Sequence, residues 1–153
     1  MKKLLFLFFL PVLVFSQTYE DIISINSERQ FLRVVIENGY ELSEKVSGVL
    51  IYALNPINGE NEMKAESWAY YYSSEKGDSF FQFNISREGL FGVINKENTY
   101  DLIFNQVKEK CKFIDIESYG DTSYSCYNCS EANLIGKIGF SSSKGIGNIV
   151  SFN

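Results

Sequence analysis

With 153 residues, 14 Lys and Arg against 19 Asp and Glu, and no histidine, the chain has room for one domain and is acidic overall. The missing histidine excludes Ser-His-Asp and Cys-His catalysis, histidine-ligated zinc or copper, and imidazole acid–base chemistry near neutral pH. A net charge of −5 with no basic run also lacks the counter-charge that a phosphate backbone demands, so nucleic acid is not an expected partner.

The first residues, MKKLLFLFFLPVLVFSQ, carry two lysines, an apolar run from Leu4 to Phe15, and Val14 and Ser16 where a signal peptidase reads. The run is shorter than the ~20 residues a spanning helix needs. Residues 1–16 are read as a signal peptide, and 17–153 as a single secreted α+β domain with no membrane span after cleavage. Its charges are then 12 basic and 19 acidic, net −7. The short leader is of a bacterial kind, so the sequons Asn84-Ile85-Ser86 and Asn128-Cys129-Ser130 are not read as glycan acceptors.

Thr18-Tyr19-Glu20-Asp21 has the form of a capping box, and Ser27-Glu28-Arg29-Gln30 repeats an S-x-x-Q start. Phe31, Leu32 and Val35 make an apolar stripe that stops at Asn38-Gly39, which predicts two abutting helical pieces, or one kinked helix, over about 18–38. From Lys45 the pattern becomes β-branched: KVSGVLIYALNP is a strand, Asn58-Gly59 a tight turn, and MKAESWAYYYSS its partner. A third strand, SFFQFNIS, follows the turn at 75–78, and LFGVI at 90–94 reads as a short fourth.

Asn98 then caps a helix over 98–111, in which Tyr100, Ile103, Phe104, Val107 and Cys111 share one face. The strands KFIDIES, TSYSCYN, LIGKIGFSSS and IGNIVSFN complete the chain. The expected fold is α+β, an antiparallel meander sheet with helices packed on one face, built as two successive helix-plus-meander units that each open on Thr-Tyr-Glu/Asp. In plan these two units resemble the secreted β-lactamase inhibitory proteins, a likeness of architecture that assigns no residue a role.

Three cysteines invite a chemical reading. A redox C-x-x-C needs a thiolate at a helix N-terminus, whereas Cys126-Tyr127-Asn128-Cys129 ends a strand. A zinc site needs four ligands, which three cysteines without histidine do not supply, so no metal or other cofactor is expected. A staple remains. If strands 112–118 and 122–128 pair around Gly120 so that facing numbers sum to about 240, Ile114 faces Cys126, Ile116 faces Tyr124, and Asp115 and Glu117 share the other face with Ser125 and Ser123. Cys111 then lies opposite Cys129, and Cys126 is left as a buried free thiol. A one-turn change in the hairpin loop makes Cys111–Cys126 the rival pair.

Trp68, Tyr70 and Tyr72 point to one side of their strand, and Ala69 and Tyr71 to the other. Either the first set shields the sheet, or it forms an aromatic surface for a protein or glycan partner. The expectation is a small secreted or periplasmic non-catalytic protein that binds a macromolecule through Trp68, Tyr70 and Tyr72. The alternative is a small glycosidase-like hydrolase built on carboxylates such as Asp115 and Glu117, or Glu60, Glu62 and Glu66. NPINGENE lacks the spacing of a calcium loop, and KGIGN precedes no helix that would hold a phosphate.

Overall fold

A computed structural model of the chain describes residues 17–58, 63–74, 78–88, 98–129, 136–143 and 145–152. The leader over 1–16, Gly59 of the Asn58-Gly59 turn, and the expected strand over 90–94 lie outside the described residues.

Local capping chemistry sets the helices. Thr18 Oγ1 accepts from the Asp21 N–H (3.1 Å) and the Asp21 carboxylate accepts from the Thr18 N–H (3.0 Å), a complete capping box that starts α1, Tyr19–Ser24. Ser27 Oγ caps α2, Glu28–Glu37, through the Gln30 N–H (3.4 Å), but Gln30 makes no reciprocal bond and its buried Oε1 has no partner among the described residues. At the other end Gly39 takes φ +78°, and the N–H groups of Gly39 and Tyr40 donate to the carbonyls of Ile36 and Val35. This Schellman geometry stops the helix where Asn38-Gly39 predicts.

The strands are β1 Glu41–Val46, β2 Val49–Leu54, β3 Ile57–Asn58, β4 Met63–Lys64, β5 Ser67–Ser73 and β6 Ser79–Ser86. Helix α3, Thr99–Lys110, comes next, followed by β7 Lys112–Tyr119, β8 Thr122–Asn128, β9 Lys137–Ser143 and β10 Ile146–Phe152. Two expected elements divide. MKAESWAYYYSS supplies β4 to a short ribbon and β5 to the main sheet. The strand read from Lys45 is two strands around the turn Ser47-Gly48, and β1 begins at Glu41. ELSEKV is exposed at every position, so no burial pattern marks it. Gly48 turns the chain at φ +76°, and a Cβ there would stand 2.8 Å from the Ser73 carbonyl oxygen.

Eight strands form one antiparallel sheet in the order β1-β2-β5-β6-β10-β9-β8-β7, and β3 and β4 form a separate short ribbon. The order reads alike from either edge. In each half an edge strand leads through a four-strand meander to an inner strand, and the inner strands β6 and β10 pair at the centre. Helix α2 leads into β1 as α3 leads into β7. The shared Thr-Tyr does not follow this symmetry, because Thr18-Tyr19 opens α1, one helix earlier than the topological match.

The main core cluster joins Tyr19, Ile22, Phe31, Val34 and Val35 of the first two helices and Tyr100, Ile103 and Val107 of α3 to Ala69, Tyr71, Phe81, Phe83, Phe140 and Ile149 of the sheet. Phe104 is partly buried and stacks on Phe140 at 4.9 Å. Arg87 binds Asp101 through both guanidinium and carboxylate forks (3.0–3.2 Å) and lies 5.5 Å over the Tyr100 ring, which fastens the end of β6 to the start of α3. The Tyr100 ring itself rests on Gly147 of β10, so that an added Cβ would overlap it. Gly147→Ala should therefore cost about 1–3 kcal/mol through overpacking. A denaturant melt that moves by less than ~0.5 kcal/mol would mean that Tyr100 swings aside freely.

Candidate binding face

Strand alternation divides β5 cleanly. Ala69 and Tyr71 are buried in the core, whereas Trp68, Tyr70 and Tyr72 are partly exposed on the opposite face. Register carries that face across the sheet: Trp68 pairs with Asn84, Asn84 with Asn148, and Asn148 with Ser141. The row is polar and internally bonded, since Asn148 Nδ2 donates to Ser141 Oγ (3.3 Å) and Gln82 Nε2 donates to Asn84 Oδ1 (2.6 Å).

Beside it runs an aromatic chain. Tyr70 stacks with Tyr72 (6.2 Å), Tyr72 lies nearly parallel to Phe80 (4.2 Å, 12°), and Phe80 meets Tyr119 edge-on (6.3 Å). The last contact fixes the shape of the face. Phe80 is on β6 and Tyr119 on the edge strand β7, four strand spacings away in the sheet order, or about 19 Å if the sheet were flat. Rings 6.3 Å apart require a sheet rolled toward this side. The face is thus concave, and Phe80 also packs on a small buried cluster of Tyr124, Cys126 and Val150 beneath it. Burial holds the phenols of Tyr70, Tyr72 and Tyr124 above the usual tyrosine range, opposed in part by hydrogen bonds to Asn84 for Tyr70 and to Ser141 and Thr122 for Tyr124. They remain neutral, amphipathic rings.

The β7–β8 hairpin departs from its expected register. Its turn is the two-residue Gly120-Asp121, with Gly120 at φ +58°, rather than a loop centred on Gly120. Facing numbers from Tyr119–Thr122 to Asp115–Cys126 are therefore one higher than the sum of 240. Ile114 does not face Cys126 and Ile116 does not face Tyr124; the two isoleucines are 45% and 67% exposed. Asp115 and Glu117 lie instead on the face of Cys126 and Tyr124, where Lys137 pairs with Glu117 and lies 4.0 Å from Asp115.

An irregularity between Phe113 and Asp115 absorbs one residue, and beyond it Lys112 faces Asn128. That restores the register at the helix end. Cys111 and Cys129 meet there and form a disulfide, with Cα atoms 4.4 Å apart. The Tyr19 hydroxyl lies 3.5 Å from Cys111 Sγ, which links α1 to the same junction. The rival Cys111–Cys126 pair is not formed, and Cys126 is a free, buried thiol whose pKa is raised by burial and by Asp115. Alkylating reagents should leave Cys126 unmodified in the native protein and label it once denaturant is added. Rapid labelling under native conditions would contradict this burial.

Sequence alternation alone put Trp68, Tyr70 and Tyr72 on one side of a strand. Phe80 joins them as the cross-strand partner of Tyr72, whereas Tyr119 and Tyr124 join only through sheet curvature, for which no local signal exists. Among the described residues no group of three or more His, Cys, Asp or Glu is placed to hold a metal ion, and no helix is long and apolar enough to cross a membrane. The chain matches no protein-family model, no curated protein and no solved structure.

Proposed function

We propose that the chain is a secreted or periplasmic, non-catalytic domain in which the helices pack on one face of the sheet and leave the other to bind a protein or glycan. The observation that carries this reading is the contiguous row Tyr70–Tyr72–Phe80–Tyr119, with Trp68 beside it, on a face separate from the main core. Rigid rings with polar tips supply contact area at little entropic cost, and the adjoining Gln82, Asn84 and Asn148 amides supply directional hydrogen bonds. The disulfide supports an oxidising compartment. The ion pairing of Asp115 and Glu117 with Lys137 speaks for a structural cluster rather than the acid and base of a hydrolase.

The double variant Trp68→Ala/Tyr70→Ala tests the reading. Screened beside the wild type against glycan arrays and extracellular protein fractions, it should lose at least ~10-fold in affinity for any ligand that the wild type retains, while its melting temperature stays close to the wild type's. Equal retention by both proteins would remove this face from consideration.

A further inference from the structure

The residue that follows the expected cleavage point sits in an awkward environment. Gln17 is only 6% exposed, and its carboxamide lies close enough to the Tyr40 phenol to offset part of the burial that raises the phenol's pKa, but among the described residues its buried Nε2 has no partner in hydrogen-bond geometry. The Tyr40 hydroxyl gives its proton to Ser67 Oγ at 2.7 Å, so toward the carboxamide its oxygen can only accept, and the Nε2 approach falls short of a hydrogen bond. Cleavage after Ser16 adds a second burden, because the Gln17 backbone nitrogen becomes an α-amine that is ordinarily charged at neutral pH. A charge at a position this buried is costly without a dedicated partner. Asp21, the acid of the adjoining capping box, already accepts from the Thr18 N–H and from Asn38 Nδ2.

We propose that the mature chain begins with pyroglutamate at position 17, an inference that rests on cleavage after Ser16. The α-amine nitrogen attacks the side-chain carboxamide carbon Cδ. The N–Cδ bond forms, the Cδ–Nε2 bond breaks, and a proton passes from the amine to the departing nitrogen, which leaves as ammonia. Nothing is oxidised or reduced and no co-reactant is consumed. The product is a neutral five-membered lactam. It removes the unpartnered Nε2 and the terminal charge in one step, and it leaves a single carbonyl and N–H in place of an amide and an ammonium.

The full-length chain, secreted from a bacterial host and purified from the medium or periplasm, provides the test. The tryptic peptide ending at Arg29 should start at position 17 and be lighter by one ammonia than its linear sequence. Edman degradation should give no first residue until pyroglutamyl aminopeptidase is added, after which Thr18 should appear first. Gln17→Asn, which cannot close a five-membered lactam, should release its N-terminal residue in the first cycle without enzyme. A mature chain that starts at Gln17 with a free amine overturns the cyclisation and leaves the cleavage point standing. An N-terminal peptide that starts elsewhere overturns both.

Discussion

Truncation of Phe83 to alanine should destabilise the domain by about 3–5 kcal/mol, the range for a fully buried phenylalanine. The side chain has 0% exposure and sits on β6, whose partner β10 belongs to the other half of the sheet. Its ring lies 5.8 Å from Phe31, 6.3 Å from Tyr40 and 5.8 Å from Phe81, so that α2, the Tyr40 ring just past its C-terminal turn and the sheet all lose contacts together. A pleated sheet paired on both sides cannot close around the missing ring, and the cavity persists. Against a typical stability of ~5–15 kcal/mol, the loss would leave much of the population close to unfolding. Urea melts of Phe83→Ala and of the milder Phe83→Leu give the measurement. A loss below ~1 kcal/mol for alanine would show that this seam is not the core.

Removal of the disulfide should have the next largest effect. Cys111 and Cys129 are 18 residues apart, and on the chain-entropy model closing a loop of that size is worth about 3 kcal/mol. The bond joins the end of α3 to the end of β8 and encloses the whole β7–β8 hairpin, an edge element that otherwise depends on β8–β9 pairing. Reductant, or the double variant Cys111→Ser/Cys129→Ser, should lower the denaturant midpoint accordingly. Cys126→Ala should leave the sensitivity to reductant unchanged, because Cys126 is outside the bond. Peptide mapping without reduction should recover the Cys111–Cys129 pair. A Cys126 cross-link, or a midpoint indifferent to reductant, would be incompatible with the structure.

The hairpin shows how sequence patterns work and where they stop. Both strands are legible because successive side chains alternate. Their relative register depends on whether the turn holds two residues or three, and one glycine beside one aspartate fits either. With two, every pair shifts by one, and Ile114 and Ile116 lose their expected buried neighbours. The cysteine pairing nevertheless matches the 240 register, because the irregularity near Ile114 cancels the shift before Lys112. Strand β1 was illegible for another reason: an exposed edge strand buries no face, so ELSEKV carries no alternation to detect.

By itself, then, the amino-acid sequence determined the features that depend on neighbours a few residues apart. These are the Thr18, Ser27 and Asn98 caps, the Gly39 stop, the apolar face of α3, and the side of β5 to which Trp68, Tyr70 and Tyr72 point. Tertiary structure alone decided that β6 and β10 meet at the centre, and that Tyr119 of the edge strand touches Phe80. Caps and alternation act over one turn or one pleat. Strand order and sheet curvature instead sum small preferences over eight strands, and no single segment of the chain contains them.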